Sequence, residues 1–440
     1  MAHFDLWLKN ATCVLPDQTA PAHIGIKNGQ INAIDLDDTH SAEQVIDLNG
    51  LHLLPGVIDS QVHFREPGLT HKEDLQTGTR GAVLGGVTSI FEMPNTTPPT
   101  STPEALEEKF RLAQGRAWCN HAFFIGATAE NADHLNELEI LPGCCGVKIF
   151  MGSSTGTLLV SEDESLRRCL QSGRRRMAIH AEDESRLKER KALLGENPHV
   201  RLHPFWRDEE TAFLATKRIL ALARETHRPL HILHVTTAQE MAFLKTQKDI
   251  ATVEVTPQHL FFAAPDCYDQ LGTLAQMNPP IRDASHRAAL WKALNDGTVT
   301  VIGTDHAPHT LEEKAKPYPQ TPSGLTGVQT LVPLLLNFVN EGRLSLEKMV
   351  ELICRNPARL YNAKNKGQIY VGFDADFTVV DLKKEMTIQN SQIASRSAWT
   401  PYDGLNVKGW PVMTVIRGHM VMREGQVLGQ PVGKPVLFSS

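Results

Sequence analysis

Short apolar runs recur through the middle of this chain and alternate with segments whose apolar positions fall at helical spacing. "GVIDSQVHF", "GVTSIFEMP", "HAFFIGAT", "GVKIFM", "RMAIHAE", "PLHILHV", "ATVEVTP" and "TVTVIGTDHAP" each read as a strand. Between most of them lie helix-like stretches: "HKEDLQTGTRGAVLGG", "TPEALEEKFRLAQG", "SEDESLRRCLQSG", "RDEETAFLATKRILALARE" and "TAQEMAFLKTQ". Several begin with Ser, Thr or Asp and carry an acidic residue soon after, which satisfies the free N–H groups of a helix start. Eight strands alternating with helices over roughly 250 residues or more predict a parallel (β/α)8 barrel of the TIM type in the α/β class. A doubly wound open sheet is the rival fold. No G-x-G-x-x-G fingerprint follows the first strand, which argues against it.

The ends of the chain follow another pattern. "FDLWLKNATCVL", "HIGIKNGQINAID" and "QVIDLNGLHLLPG" read as short strands with tight turns, and so do "GQIYVGFDADFTVVDL" and "VMTVIRGHMVMREGQVL". The expectation is a small β-sandwich domain made of residues 1–54 plus 367–440, beside the barrel of residues 55–366. The longest apolar stretch, "LVPLLLNFV", is interrupted by Pro333 and too short to span a membrane.

Composition narrows the function classes. A net charge of −6 with 41% hydrophobic and 21% charged residues is ordinary for a soluble globular protein and suggests no nucleic-acid partner. The one short basic run, "SGRRRM", reads as a solvated helix end. The N-terminus lacks the uninterrupted apolar core of a signal peptide, and seven scattered cysteines without a C-x-x-C pair fit a reducing cytoplasm. The adjacent Cys144 and Cys145 read as buried packing.

Candidate chemistry gathers at the C-terminal ends of the strands, where barrel enzymes mount their active sites. His63 ends the first strand, Asn95 follows the second, Lys148 lies in the fourth, His180 ends the fifth, His234 the sixth and Asp305 the eighth. Any one histidine could be a buried hydrogen-bonded residue; ligand-type residues at matching ends of several strands point to a metal centre. Lys148 offers no lone pair while protonated. Burial can lower its pKa, and the neutral amine can then react with carbon dioxide to give a carbamate able to bridge two metals. The alternative is a lysine salt-bridged inside the barrel. In "GTDHAPHTLEEK", Asp305 emerges at the barrel mouth, where it can bind a metal and take a proton from water. His309 is placed to contact substrate. His306 reads as a supporting or surface residue, and Lys314 as part of a solvated loop.

Together "HFREPGLTHKEDL", "GGVTSIFEMPNTTP", "KIFMGSSTG", "HAED", "HVTTAQE", "MNPPIR" and "GTDHAPHTLEEK" resemble the dihydroorotases of the amidohydrolase superfamily, of the longer type related to allantoinases and dihydropyrimidinases. The resemblance implies a zinc-dependent cyclic amide hydrolase that interconverts N-carbamoyl-aspartate and dihydroorotate in pyrimidine biosynthesis. It implies that His63 and Asp305 bind one zinc, that His180 and His234 bind another, and that carboxylated Lys148 bridges them. Arg65 and Asn95 would grip the substrate carboxylate with help from His309, and Asn278 would line the pocket around the ring. Asp305 would accept the proton of the attacking water and pass it to the leaving nitrogen. A homodimer, and contact with aspartate transcarbamoylase, are the partners the family suggests.

Gln61 departs from the family's D-x-H-x-H opening, since it stands where the first histidine is usual. Its side-chain oxygen is a neutral, harder donor than imidazole, and zinc prefers nitrogen or sulfur. The expectation is one well-held zinc and a second that is weak or absent. Gln61 also keeps open a catalytically inactive scaffold for aspartate transcarbamoylase. Another cyclic amidase, an allantoinase or hydantoinase, is the further alternative, and Arg65 speaks against it because those substrates lack a carboxylate. Arg65 could also be a structural partner of Glu66 or Asp59.

Overall fold

The computed structural model describes residues 3–35, 40–154 and 158–439; the Thr155-Gly156 end of the "KIFMGSSTG" motif lies outside them. Five strands open the chain: β1 (His3–Val14), β2 (Thr19–Lys27), β3 (Gln30–Asp35), β4 (Ser41–Asp47) and β5 (His52–Pro55). The eight expected central strands follow as β6 (Val57–Val62), β7 (Val87–Glu92), β8 (Asn120–Gly126), β9 (Cys144–Phe150), β10 (Met177–His180), β11 (Leu230–Ile232), β12 (Ala251–Val255) and β13 (Val301–Ile302). They pair in sequence order, each parallel to the next. One bridge between Val62 and His306 joins the first strand to the last, and His63 N–H donates to His306 O at 2.7 Å. Every residue of β6, β7, β8, β9 and β10 is buried. Helices cover the outside and side chains fill the inside, so these strands lack the apolar-polar alternation of a half-exposed sheet.

The helices start where their caps dictate. Asp74 accepts from Thr77 N–H at 2.7 Å ahead of the helix Leu75–Leu84. Asp208 does the same for Thr211 at 3.0 Å ahead of Glu209–Thr226, and Thr237 for Glu240 at 3.0 Å ahead of Ala238–Leu244. Such caps contribute about 1 kcal/mol each. Pro333 does not break "LVPLLLNFV": it sits in the first turn of the helix Leu331–Asn340, where its missing N–H costs no helical bond. Among the described residues no helix is long and apolar enough to cross a membrane.

Four strands close the chain: β14 (Phe377–Thr387), β15 (Asn406–Ile416), β16 (His419–Arg423) and β17 (Gln426–Val427). Both termini build the small β domain. Its strands form one connected, mostly antiparallel sheet in the order β17-β16-β15-β14-β5-β1-β2-β3, with β4 also on β1. The antiparallel pair β5–β14 joins the two termini. Asn28-Gly29, with φ of 52° and 75°, makes the tight turn between β2 and β3 that hairpins favour. Leu8, Ile24, Ile31, Leu53, Phe377 and Val415 share its core.

The last segment leaves this sheet, although the sequence reading assigns all of 367–440 to it. Gly433 N–H donates to Ala117 O at 2.9 Å, and Val436 N–H to His121 O at 2.9 Å. Val436 is buried with Ile58, Ala122 and Ala178 of the barrel strands. Nor is "SGRRRM" solvated throughout. Arg175 Nη1 donates to Glu139 O at 2.6 Å and Cys144 O at 3.0 Å, and Arg176 Nη1 to Leu230 O at 2.7 Å. All seven cysteines are free and buried, and burial pushes the Cys144 thiol up to about 11.

Candidate functional site

One cleft at the C-terminal ends of the barrel strands takes in Gln61, His63, Lys148, His180, His234 and Asp305. Arg65, Asn95 and Asn278 line the same cleft, with Phe150, Ser154 and the Ser323-Gly324 backbone. Three of these residues lie in the left-handed region of φ: Arg65 at 65°, His234 at 37° and Asp305 at 48°. Such backbone costs about 1–3 kcal/mol per residue and is held only by the surrounding fold. It turns the side chains away from the directions that strand alternation would give them.

On one side, His180 Nδ1 lies 3.1 Å from His234 Nε2. His180 Nε2 donates to Glu182 Oε2 at 2.7 Å, and Arg207 holds Glu182 in turn through Nε at 3.0 Å. The carboxylate keeps the proton on Nε2 and leaves the lone pair on Nδ1, as partners of metal-binding histidines do. Lys148 Nζ is buried, without a hydrogen-bond partner, 4.5 Å from the centre of the Phe150 ring. Among the described residues it has no salt bridge of the kind the alternative reading requires. Burial lowers its pKa to about 7.

On the other side, His63 Nε2 lies 3.0 Å from Asp305 Oδ1, while its Nδ1 meets Asn95 Oδ1 at 2.6 Å. With the ring proton on Nδ1, a lone pair faces a carboxylate oxygen, an arrangement that calls for a proton or a cation. Gln61 Nε2 donates to the same Asp305 oxygen at 3.0 Å, and Gln61 Oε1 is buried without a partner.

Arg65 is buried. Its Nε donates to Pro308 O at 3.1 Å, its Nη2 lies 3.2 Å from His309 Nε2, and its Nη1 has no partner. The suggested ion pairs are absent: Glu66 pairs with Arg116 at 2.9 Å, and Asp59 accepts from Thr304 N–H at 3.0 Å. Burial lowers the Arg65 pKa to about 10, which leaves it charged at neutral pH. Asn278 Oδ1 accepts from His203 Nε2 at 3.0 Å, and its Nδ2 is 3.3 Å from Ser154 Oγ.

Two residues, His309 and Lys314, stand elsewhere than the sequence suggests, and His306 takes the supporting rather than the surface role. His309 is fully buried behind Arg65 and does not line the cleft; its Nε2 is 3.1 Å from Ser323 O, and its Nδ1 is 3.1 Å from Lys72 Nζ. His306 is buried and structural: its Nδ1 accepts from Gly327 N–H at 2.9 Å and Val328 N–H at 3.2 Å. Lys314 is not on a solvated loop but 1% exposed. The sequence reading also passed over Glu182 and Arg207. Glu182 stands two residues after His180 in "HAED", which is a local signal; Arg207 has none.

The buried, unpartnered Lys148 Nζ, His234 Nδ1 and Gln61 Oε1 share this cleft with histidines that burial keeps neutral. That donor set fits a divalent cation of the zinc type on the Lys148–His180–His234 side, and fits it less well where Gln61 replaces a nitrogen ligand. Among the described residues, Glu209, Asp283 and His286 also bring three donor atoms within 4.8 Å of one another. There His286 Nδ1 accepts from Ala238 N–H at 3.0 Å, so Nε2 carries the proton and donates to Glu209 at 3.0 Å, an ordinary hydrogen-bonded pair.

Residues 52–421 match the amidohydrolase family. The dihydroorotase of Pyrococcus abyssi is 36% identical over 419 residues, covering 94% of each chain. That of Methanothermobacter thermautotrophicus is 33% identical over 428 residues, covering 97% of this chain and 96% of its own. The solved L-hydantoinase (dihydropyrimidinase) from Arthrobacter aurescens is 30% identical and superposes with a TM-score of 0.93, covering 99% of this chain and 100% of its own. With a family match over most of its length and the strand-end cleft that such barrels use, this chain belongs to the amidohydrolase family.

Proposed function

We propose that the chain is a dihydroorotase, which interconverts N-carbamoyl-L-aspartate and L-dihydroorotate in pyrimidine biosynthesis. The observation that carries this reading is Arg65: a buried guanidinium with an unpartnered Nη1 in the same cleft as the His63–Asp305 pair. Dihydroorotate carries a carboxylate that hydantoins and dihydropyrimidines lack, and a guanidinium meets a carboxylate through two parallel N–H bonds.

His180, His234 and Lys148 would hold one zinc ion, with His63 and Asp305 at a second position that Gln61 weakens. A zinc ion bound there supplies Lewis-acid polarisation of the ring carbonyl and a lower pKa for water. Lys148, neutral above a pKa of about 7, adds to carbon dioxide: an N–C bond forms, one N–H proton leaves, and a carbamate anion results. Arg65 and Asn95 take the substrate carboxylate, and His309 holds Arg65 from behind. Asp305 accepts the proton of the attacking water and returns it to the ring nitrogen as the amide bond opens; ring closure runs through the same groups in reverse. Gln61, donating to Asp305, keeps that carboxylate turned to the cleft. A cytoplasmic homodimer that contacts aspartate transcarbamoylase belongs to the same proposal.

The test combines cyclisation of carbamoyl-aspartate with zinc measured per chain. Arg65→Ala is expected to lower kcat/KM for dihydroorotate about 100-fold, the size of a lost charge-assisted contact. The likeness to an L-hydantoinase supports a second reading. Faster opening of hydantoin than of dihydroorotate, unaffected by Arg65→Ala, would establish it instead. Neither metal nor turnover would mark a scaffold.

A further inference from the structure

The lysine that ends "GTDHAPHTLEEK" has no task in the reaction above. Its side chain is nevertheless almost wholly buried, and three main-chain carbonyls surround its ammonium. Lys314 Nζ donates to Gln276 O at 3.1 Å, Pro322 O at 3.0 Å and Gly324 O at 3.1 Å. An ammonium has three N–H donors and no acceptor, so donors and carbonyls match one to one. Burial and the charge of Arg65 push its pKa down to about 7.

The three carbonyls belong to two loops. Gln276 stands two residues before Asn278, in the segment between β12 and β13. Pro322 and Gly324 flank Ser323, in the segment after β13. Asn278, Ser323 and Gly324 all line the cleft. The two loops also bond directly: Gly324 N–H donates to Gln276 O at 2.9 Å, and Gln276 Nε2 to Thr321 O at 3.0 Å. The junction has no slack. Gly324 has a φ of 150°, and a Cβ there would come within 2.2 Å of Ala307 O.

We infer that Lys314 is a positioning residue, which staples the Asn278 loop to the Ser323-Gly324 loop and so sets the width of the cleft that receives the substrate ring. It makes none of its hydrogen bonds to the candidate metal ligands, so its effect falls on how substrate is held. The kinetic form of this inference rests on the dihydroorotase reading; the staple itself does not.

Lys314→Met removes the ammonium at nearly constant length, takes the Lys314 donor from Pro322 O and Gly324 O, and leaves Gln276 O with the Gly324 N–H alone. The expected result is a rise in KM for dihydroorotate of about ten-fold, with kcat at saturation and zinc per chain nearly unchanged. Hydrogen exchange should accelerate in residues 276–279 and 321–327 and stay as before in the barrel strands. If Lys314→Met does not fold, Lys314→Arg carries the same test, since it keeps the charge and loses the one-to-one match. An unchanged KM in a folded, zinc-loaded variant overturns the inference, and so does a fall in kcat alone. If the wild-type protein turns over no dihydroorotate, the functional reading fails, and the exchange pattern decides the staple by itself.

Discussion

At the residue scale, Gln61 makes the two halves of the cleft unequal. It gives an N–H to the Asp305 oxygen that faces His63, where a second imidazole would give a lone pair to a cation. Amide oxygen is a weak zinc donor, so a zinc ion at the proposed His63–Asp305 position would lack a full ligand set. Gln61→His should therefore raise zinc from about one to about two per chain, measured on extensively dialysed protein. An unchanged count would mean that the glutamine oxygen ligates as well as imidazole does. Gln61 and His63 were legible in the sequence because they share a short motif. Lys314 was not, because a lysine among Thr, Glu and Pro residues reads as solvated until the carbonyls of distant loops are seen around it. Nor does alternation along a strand foretell where Arg65, His234 and Asp305 point, since each leaves its strand through left-handed backbone.

At the scale of elements, all eight barrel strands could be read, because each carries a short apolar run and capped helices separate them. The C-terminal tail could not. "PVGKPVLFSS" carries two prolines and a glycine and reads as a loose end of the β domain. Its partners are instead at the base of the barrel, where Lys364 N–H donates to Leu437 O at 2.8 Å and Phe438 packs edge-on against Phe91 at 5.6 Å. Val436 is 1% exposed, and burying one such side chain contributes about 1.5–3 kcal/mol. With the partly buried Phe438 added, deleting residues 432–440 should cost about 3–5 kcal/mol in urea unfolding. The cleft lies at the other end of the strands, so KM should hold. A deletion that raises KM at unchanged stability would show that the base and the mouth of the barrel are coupled.

For the whole molecule, folding around so many polar interior groups fixes how stability depends on pH. Among the histidines buried outside the cleft, burial lowers His121 and His259 to about 4, His203 and His231 to about 3, and His309 well below its ordinary value. Unfolded, each would titrate near 6.5, so between pH 6.5 and 4 the unfolded chain binds protons that the folded chain refuses. Their contribution is therefore complete above pH 6.5 and is lost as pH falls towards 4. Four buried carboxyls act in the opposite sense: burial raises Asp59 to about 7, Glu254 well above its ordinary value, and Glu92 and Glu240 above theirs, so the folded chain holds protons there that the unfolded chain releases above pH 4. The histidines outnumber these carboxyls, and in zinc-free protein His63, His180 and His234 of the cleft add to the histidine side, so unfolding takes up protons on balance near pH 5.5. Each net proton lowers stability by about 1.4 kcal/mol between pH 6 and pH 5, so two would remove about 3 kcal/mol. That is a large part of the 5–15 kcal/mol that ordinarily holds a domain together. Urea midpoints of zinc-free protein across this range measure the slope, and His203→Asn should reduce it by about one proton's worth. A flat profile would mean that the buried acids cancel the buried histidines completely.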